Sequence, residues 1–131
     1  IERQVDGRPF KKRPTILVLP GGGYGFVSDR EGEPVARYFN AKGFNCFVLR
    51  YTINTGEACF PAPLYQAAKA VEHIRKNADE YNVDENRVFV IGFSAGGHLG
   101  FRTVVTATLQ KALKSTKRCQ DQTVRCFAIP L

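Results

Sequence analysis

The pentapeptide Gly92-Phe93-Ser94-Ala95-Gly96 sets a serine at the centre of a G-x-S-x-G pattern, directly behind the apolar run Val88 to Ile91. A serine hydroxyl can act as a nucleophile when a sharp turn lifts it clear of its neighbours, and the crowded backbone of such a turn demands small residues on either side. Gly92 and Gly96 meet that demand, and Ser94 projects its hydroxyl. If a helix starts at the serine, Ala95 N–H lies at its N-terminus, where the backbone dipole and an unpaired donor suit an oxyanion. Taken alone, the pentapeptide also reads as a serine N-cap flanked by glycines needed for packing.

A second motif strengthens the nucleophile reading. Pro20-Gly21-Gly22-Gly23-Tyr24 closes the first apolar run of the chain. Consecutive glycines let backbone N–H groups face a site without side-chain obstruction, which is how a second oxyanion donor is supplied beside a serine turn. The plainer alternative is a turn that needs positive φ. Two nucleotide readings fail on their own terms. A phosphate-binding loop needs Lys after its last glycine, and His98 follows Gly97. A dinucleotide fingerprint starting at Gly21 needs glycine in sixth place, where Phe26 stands.

The elements that must position these motifs follow from periodicity. Thr15 to Leu19 is a buried-strand run that stops at Pro20. Glu31, Glu33 and Pro34 open a short helix carrying Val35, Tyr38 and Phe39, and Gly43 closes it. Asn45 to Tyr51 is a second, nearly continuous apolar strand. Leu64, Ala67, Ala68, Val71, Ile74 and Ala78 recur at helical steps opposite Lys69, Glu72, Arg75 and Lys76. Asp84-Glu85-Asn86 predicts a polar turn before the third strand, Val88 to Ile91, and a helix follows at the serine. Alternating strands and helices predict an α/β fold, a parallel sheet with helices on both faces. From Gly100 the pattern degrades, because Thr103, Val104, Val105, Thr106 and Thr108 crowd β-branched side chains where the helix should continue. Leu109 to Lys114 has helical character, and Ser115 to Arg125 is polar and basic.

Composition bounds the rest. With 131 residues, 44% hydrophobic and 24% charged, the chain suits one globular domain or a piece of one. It starts at Ile1 without a methionine, which reads as an excerpt from a longer polypeptide. The lead-in Ile1 to Pro14 is too polar for a signal peptide, and no apolar run is long enough to span a membrane. Of the net +7, residues 101–131 supply +5. That basic tail offers only Phe101 and Phe127 as stacking aromatics, so a nucleic-acid partner is not expected. Cys46, Cys59, Cys119 and Cys126 are spaced too widely for a zinc site and are read as free thiols, with Cys46 inside a strand.

The chain resembles the α/β-hydrolase superfamily, in particular its carbohydrate-acetyl-esterase branch related to the hormone-sensitive-lipase-type esterases. The resemblance rests on Arg13-Pro14 through Tyr24, on Ser28-Asp29-Arg30-Glu31-Gly32-Glu33-Pro34-Val35-Ala36, on Leu49-Arg50-Tyr51 and on Gly92 through Leu99. It covers residues 13–99, leaving 100–131 as a divergent basic tail of a single, incomplete α/β-hydrolase domain. Relatives often carry His before the glycine triplet, where this chain has Pro20. The resemblance implies Ser94 as nucleophile, and Gly21, Gly22 and Ala95 as oxyanion donors, the choice among the three glycines of the loop being open. It implies small carboxylic esters, acetylated sugars among them, as substrates, and neither metal nor organic cofactor.

The same resemblance implies an acid and then a histidine after the serine. Beyond Ser94 the only acidic residue is Asp121, and the only histidines of the chain are His73 and His98. His73 precedes the serine on the polar flank of a helix and is expected to be solvated. His98, one turn past Ser94, is expected to pack. Loss of the histidine costs a serine hydrolase roughly 10⁶ in turnover, leaving about 10³ to 10⁴ over water. The chain by itself is therefore expected to be nearly inert, and a catalytically inactive α/β fragment or interaction module is the alternative. Arg30, Glu31 and Glu33 either hold the glycine loop or cap the next helix, with capping the favoured role. Tyr24 either lines an acyl pocket or packs on the loop.

Overall fold

A computed structural model describes residues 11–53, 61–112 and 126–128. The elements are β1 (Arg13–Leu19), a 3₁₀ turn (Asp29–Glu31), α1 (Glu33–Asn40), β2 (Asn45–Leu49), α2 (Ala62–Lys76), β3 (Val83–Gly92), α3 (Ala95–Ala112) and β4 (Cys126–Ala128). The sheet order is β3-β1-β2-β4. β1 pairs in parallel with both β2 and β3, as the alternation of strands and helices predicts. β4, drawn from the basic tail, adds an antiparallel strand, with Val48 opposite Phe127.

Side chains alternate across a strand, and β1 divides its residues cleanly between two cores. Leu17 and Leu19 join Phe47 and Leu49 under α2 and α3, against Leu64, Ala67, Ala70, Ile74 and Leu99. Ile16 and Val18 join Cys46 and Val48 on the other face, against Ala36, Val35 and Phe39 of α1. The chain steps from β1 to one neighbour and then across β1 to the other. Crossovers of one hand in opposite directions place their helices on opposite faces. That reversal also opens a crevice at the carboxyl end of β1, the usual place for a site in such sheets.

Local chemistry accounts for the ends of α1. Pro34 sits in its first turn and Glu33 is acidic there, while Gly43, at φ 91°, closes it. Gly43 N–H reaches Asn40 C=O at 2.9 Å and Phe44 N–H reaches Phe39 C=O at 3.2 Å, a Schellman arrangement.

Two expectations are corrected. The polar turn at Asp84-Glu85-Asn86 lies within β3 as an irregularity: Arg13 is opposite Val83, and the next pair is Thr15 with Val88. Pro14 cannot donate to the ladder at that point, and Asp84 accepts from Asn86 N–H at 3.0 Å and Arg87 Nε at 2.7 Å. The helical pattern, in turn, does not break off at Gly100, since α3 continues to Ala112. Buried Thr103 donates its hydroxyl to Leu99 C=O at 2.8 Å. A Cβ on Gly100 would lie 3.2 Å from Val90 and 3.3 Å from Leu19, so α3 packs tightly on the sheet here. Packing of this kind outweighs helix propensities that differ by under about 0.7 kcal/mol per residue.

Cys46 is a buried free thiol, as expected. Cys59, Cys119, Asp121 and the stretch 115–125 lie outside the described residues. Among the described residues, no helix is long and apolar enough to cross a membrane.

Candidate active site

Parallel pairing brings the two motifs together. Leu19, the last residue of β1, stands opposite Gly92, the last of β3, and Phe93 N–H donates to Leu19 C=O at 3.1 Å. The glycine triplet and the serine turn therefore leave the sheet side by side.

Ser94 occupies the left-handed region at φ 48°, where a non-glycine residue is strained, and its side chain is exposed. The turn closes through Gly96 N–H to Phe93 C=O at 2.8 Å and His98 N–H to Ser94 C=O at 3.0 Å. Small neighbours are obligatory. A Cβ on Gly92 would strike the Gly96 carbonyl, and a Cβ on Gly96 would strike the Leu19 carbonyl. Ala95 is the first residue of α3 and is buried. Its N–H heads an 18-residue helix, where the summed backbone dipole is positive.

The glycine loop rests directly on this turn. A Cβ on Gly21 would lie 3.2 Å from Ser94 Cβ and 2.8 Å from the Phe93 carbonyl oxygen. Gly22, Gly23 and Tyr24 follow with positive φ of 132°, 61° and 62°. Gly21 N–H donates to Glu31 Oε2 at 2.8 Å, and Ser28 N–H donates to Gly21 C=O at 2.9 Å. Among the described residues, Gly22 and Ala95 N–H have no protein acceptor.

Tyr24 reaches from the loop to the serine helix. Its hydroxyl donates to Ala95 C=O at 3.2 Å and lies 2.8 Å from His98 Nδ1. Its ring meets Tyr51 and His98 edge to face, at centroid distances of 5.9 and 6.1 Å. Burial raises the Tyr24 phenol above its ordinary range, opposed by the charge of Arg102. Tyr51 is buried and donates its hydroxyl to Pro20 C=O at 2.6 Å. Burial, then the neighbouring Tyr24 and Glu31, push its phenol up to about 12. Tyr51 therefore remains a donor over the whole ordinary pH range.

The other sequence candidates sort themselves by position. His98 is exposed and engaged with Tyr24. His73 stands near the start of β3, at the other end of the sheet from Ser94, with Nε2 3.1 Å from the Tyr81 hydroxyl and Asn77 beside it. Glu33 pairs with Arg37 on the surface, and Asp29 pairs with Arg50 at 2.6 Å. Glu31, favoured on sequence as a helix cap, instead holds the glycine loop, and among the described residues no side chain caps α1. Tyr51 had no functional reading in the sequence. Its only signal was a polar-tipped aromatic directly after a buried strand, a residue type that seeks a partner for its hydroxyl.

Beside the loop, on the α1 side, lies a cavity of about 590 Å³ bordered by Pro20, Val27, Pro34 and Val48, with Asp29 and Arg50 at its rim. Ser94 does not border it, so it is separate from the space above the serine.

Known proteins share this fold. The chain is 44% identical over 90 residues to endo-1,4-beta-xylanase B of Butyrivibrio fibrisolvens, covering 67% of this chain and 14% of that protein. Among solved structures, the acetyl ester-xyloside bifunctional hydrolase of Caldicellulosiruptor lactoaceticus superposes with a TM-score of 0.67 at 42% identity, covering 71% of this chain and 34% of that one. The carboxylesterase Cest-2923 of Lactobacillus plantarum superposes with a TM-score of 0.76 at 28% identity, covering 86% and 42%. The chain thus spans well under half the length of these relatives, and its fold is part of the α/β-hydrolase fold. The family profile described as BD-FAE matches residues 7–129, through the motifs and on into the tail, so the chain belongs to the BD-FAE family.

Proposed function

We propose that this chain carries the nucleophile and oxyanion site of a serine esterase that acts on small carboxylic esters, acetylated sugars among them. The observation that supports the reading most is Ser94, held at φ 48° at the head of α3 with the glycine loop packed against it. Strain at a residue so placed is the recurrent mark of a functional turn. The substrate class is suggested by the acetyl ester-xyloside hydrolase and the carboxylesterase to which the chain is similar.

In this mechanism Ser94 Oγ attacks the ester carbonyl carbon and gives up its proton to a base. The carbonyl oxygen becomes an oxyanion, received by Ala95 N–H at the helix N-terminus and by a loop N–H. Collapse of the tetrahedral species breaks the bond to the alcohol, which leaves with a proton and strands the acyl group on Ser94. Water then attacks the acyl-serine, releasing the acid and restoring the hydroxyl. Gly21 N–H is already bonded to Glu31, which leaves Gly22 and Gly23 as the candidate loop donors. The base and its carboxylate partner come from outside the described residues, because His73 is remote and His98 serves Tyr24.

A second reading, an inactive α/β fragment, is favoured by one observation: among the described residues both histidines are engaged elsewhere, His73 with Tyr81 and Asn77 and His98 with Tyr24. Exposure to p-nitrophenyl acetate separates the two. The esterase reading predicts a slow nitrophenolate release above the uncatalysed rate that disappears in Ser94→Ala. An identical slow release from both proteins favours the fragment.

A further inference from the structure

The peptide unit between Pro20 and Gly21 is gripped at both ends. Its carbonyl accepts from the buried Tyr51 hydroxyl at 2.6 Å, and its N–H donates to Glu31 Oε2 at 2.8 Å. The next unit is fixed as well, because Gly21 C=O accepts from Ser28 N–H at 2.9 Å. A trans peptide points its N–H away from its carbonyl. With Gly21 C=O held toward Ser28, Gly22 N–H must point the opposite way, and it has no protein acceptor among the described residues. There is no slack to turn the loop over. Space beside Gly21 is filled by the Phe93 carbonyl and Ser94 Cβ, and a Cβ on Gly22 would strike the Phe26 carbonyl.

We infer that Glu31 and Tyr51 form a peptide clamp that withdraws Gly21 from the oxyanion site and fixes the direction of Gly22 N–H as a loop donor, which makes Glu31 a positioning residue for ester cleavage. The inference rests on the esterase reading of Ser94. A carboxylate bonded to a backbone N–H is among the stronger hydrogen bonds, so it holds the peptide plane more firmly than water does. Without it, Gly21 N–H is free to swing toward the oxyanion and the pair of donors loses its fixed geometry. Glutamine at this position keeps an acceptor oxygen at the same reach, whereas alanine does not.

The test uses the full chain with a fluorophosphonate, reading maximal labelling rate and apparent affinity separately, and amide hydrogen exchange at Gly21. Glu31→Ala is expected to slow maximal labelling by about 10-fold or more with little change in affinity, a fraction of the 10² to 10³ that loss of a whole oxyanion donor costs. Glu31→Gln is expected to recover most of that rate, and Gly21 N–H to be protected in wild type and Glu31→Gln but not in Glu31→Ala. An unprotected Gly21 N–H in wild type, or equal rates in wild type and Glu31→Ala, overturns the clamp. If wild type and Ser94→Ala both fail to label, the esterase reading falls, while the exchange data still decide whether the clamp exists. If Glu31→Ala does not fold, Gly21 exchange in wild type and the rate of Glu31→Gln decide.

Discussion

Leu19 and Gly96 meet backbone to backbone, with the Leu19 carbonyl occupying the place that a Cβ on Gly96 would need. This contact joins the end of β1 to the first turn of α3. It sets the distance between the glycine loop and the serine turn, and both sides of the proposed oxyanion site depend on it.

Gly96→Ala should therefore destabilise the protein by about 1–3 kcal/mol or more, the usual cost of forcing a carbon into filled space. Gly25 supplies the control. Its nearest neighbour, the Gly22 carbonyl, is 3.8 Å from a built Cβ and its φ is not positive, so Gly25→Ala should stay within about 0.5 kcal/mol of wild type. Urea unfolding of the two variants is the check, and equal losses would contradict the close approach at Leu19.

Much of this was legible in the sequence, for definite reasons. β1 and β2 are buried on both faces and so read as unbroken apolar runs, and α1 carries its own punctuation in Pro34 and Gly43. The serine turn was readable because its glycines are sterically obligatory. α3 beyond Leu99 was not, since the β-branched residues from Thr103 onward weaken a local signal that packing against Leu19 and Val90 restores. β4 was invisible because three residues become a strand only beside the edge of β2. The bond from Glu31 to Gly21 joins a side chain to a backbone group ten positions away, a contact that leaves no periodic trace.

Removing one oxygen tests the bridge between loop and helix. Tyr24→Phe deletes the hydroxyl that meets Ala95 C=O and His98 Nδ1 but keeps the ring against Tyr51. A loss of about 0.5–1.5 kcal/mol is expected for such a bond. His98→Ala made in the Tyr24→Phe background should then cost less than it does in wild type. Strict additivity of the two changes would show that the pair does not interact.

Two buried acids predict alkaline sensitivity. Burial pushes the Cys46 thiol up from 9.0 to about 11 and the Tyr51 phenol up from 10.0 to about 12. Both groups are neutral in the fold and ionise first in the unfolded chain. Between these pairs of values the unfolded state therefore binds fewer protons, and stability falls as pH rises. Their contribution is fully present below pH 9 for Cys46 and below pH 10 for Tyr51. Denaturant midpoints measured from pH 8 upward should decline, and Cys46→Ala should flatten the first part of that decline. A midpoint that holds steady through pH 11 would be inconsistent with burial of these groups.

The sheet core offers a blunter check. Leu17 is fully buried on the face shared by α2 and α3, so Leu17→Ala should cost about 2–5 kcal/mol, as truncations in well-packed cores do. Lys69→Ala, on the exposed side of α2, should change stability by under about 0.5 kcal/mol. Thermal unfolding followed by circular dichroism compares the two.

The central claim is that the strained turn at residue 94 presents a reactive hydroxyl to the glycine loop. Fluorophosphonate treatment of the chain followed by peptide mass mapping tests it most directly. The account predicts one adduct per chain, located on Ser94 and lost in Ser94→Ala. No adduct, or an adduct that maps to another residue and survives that substitution, would contradict it.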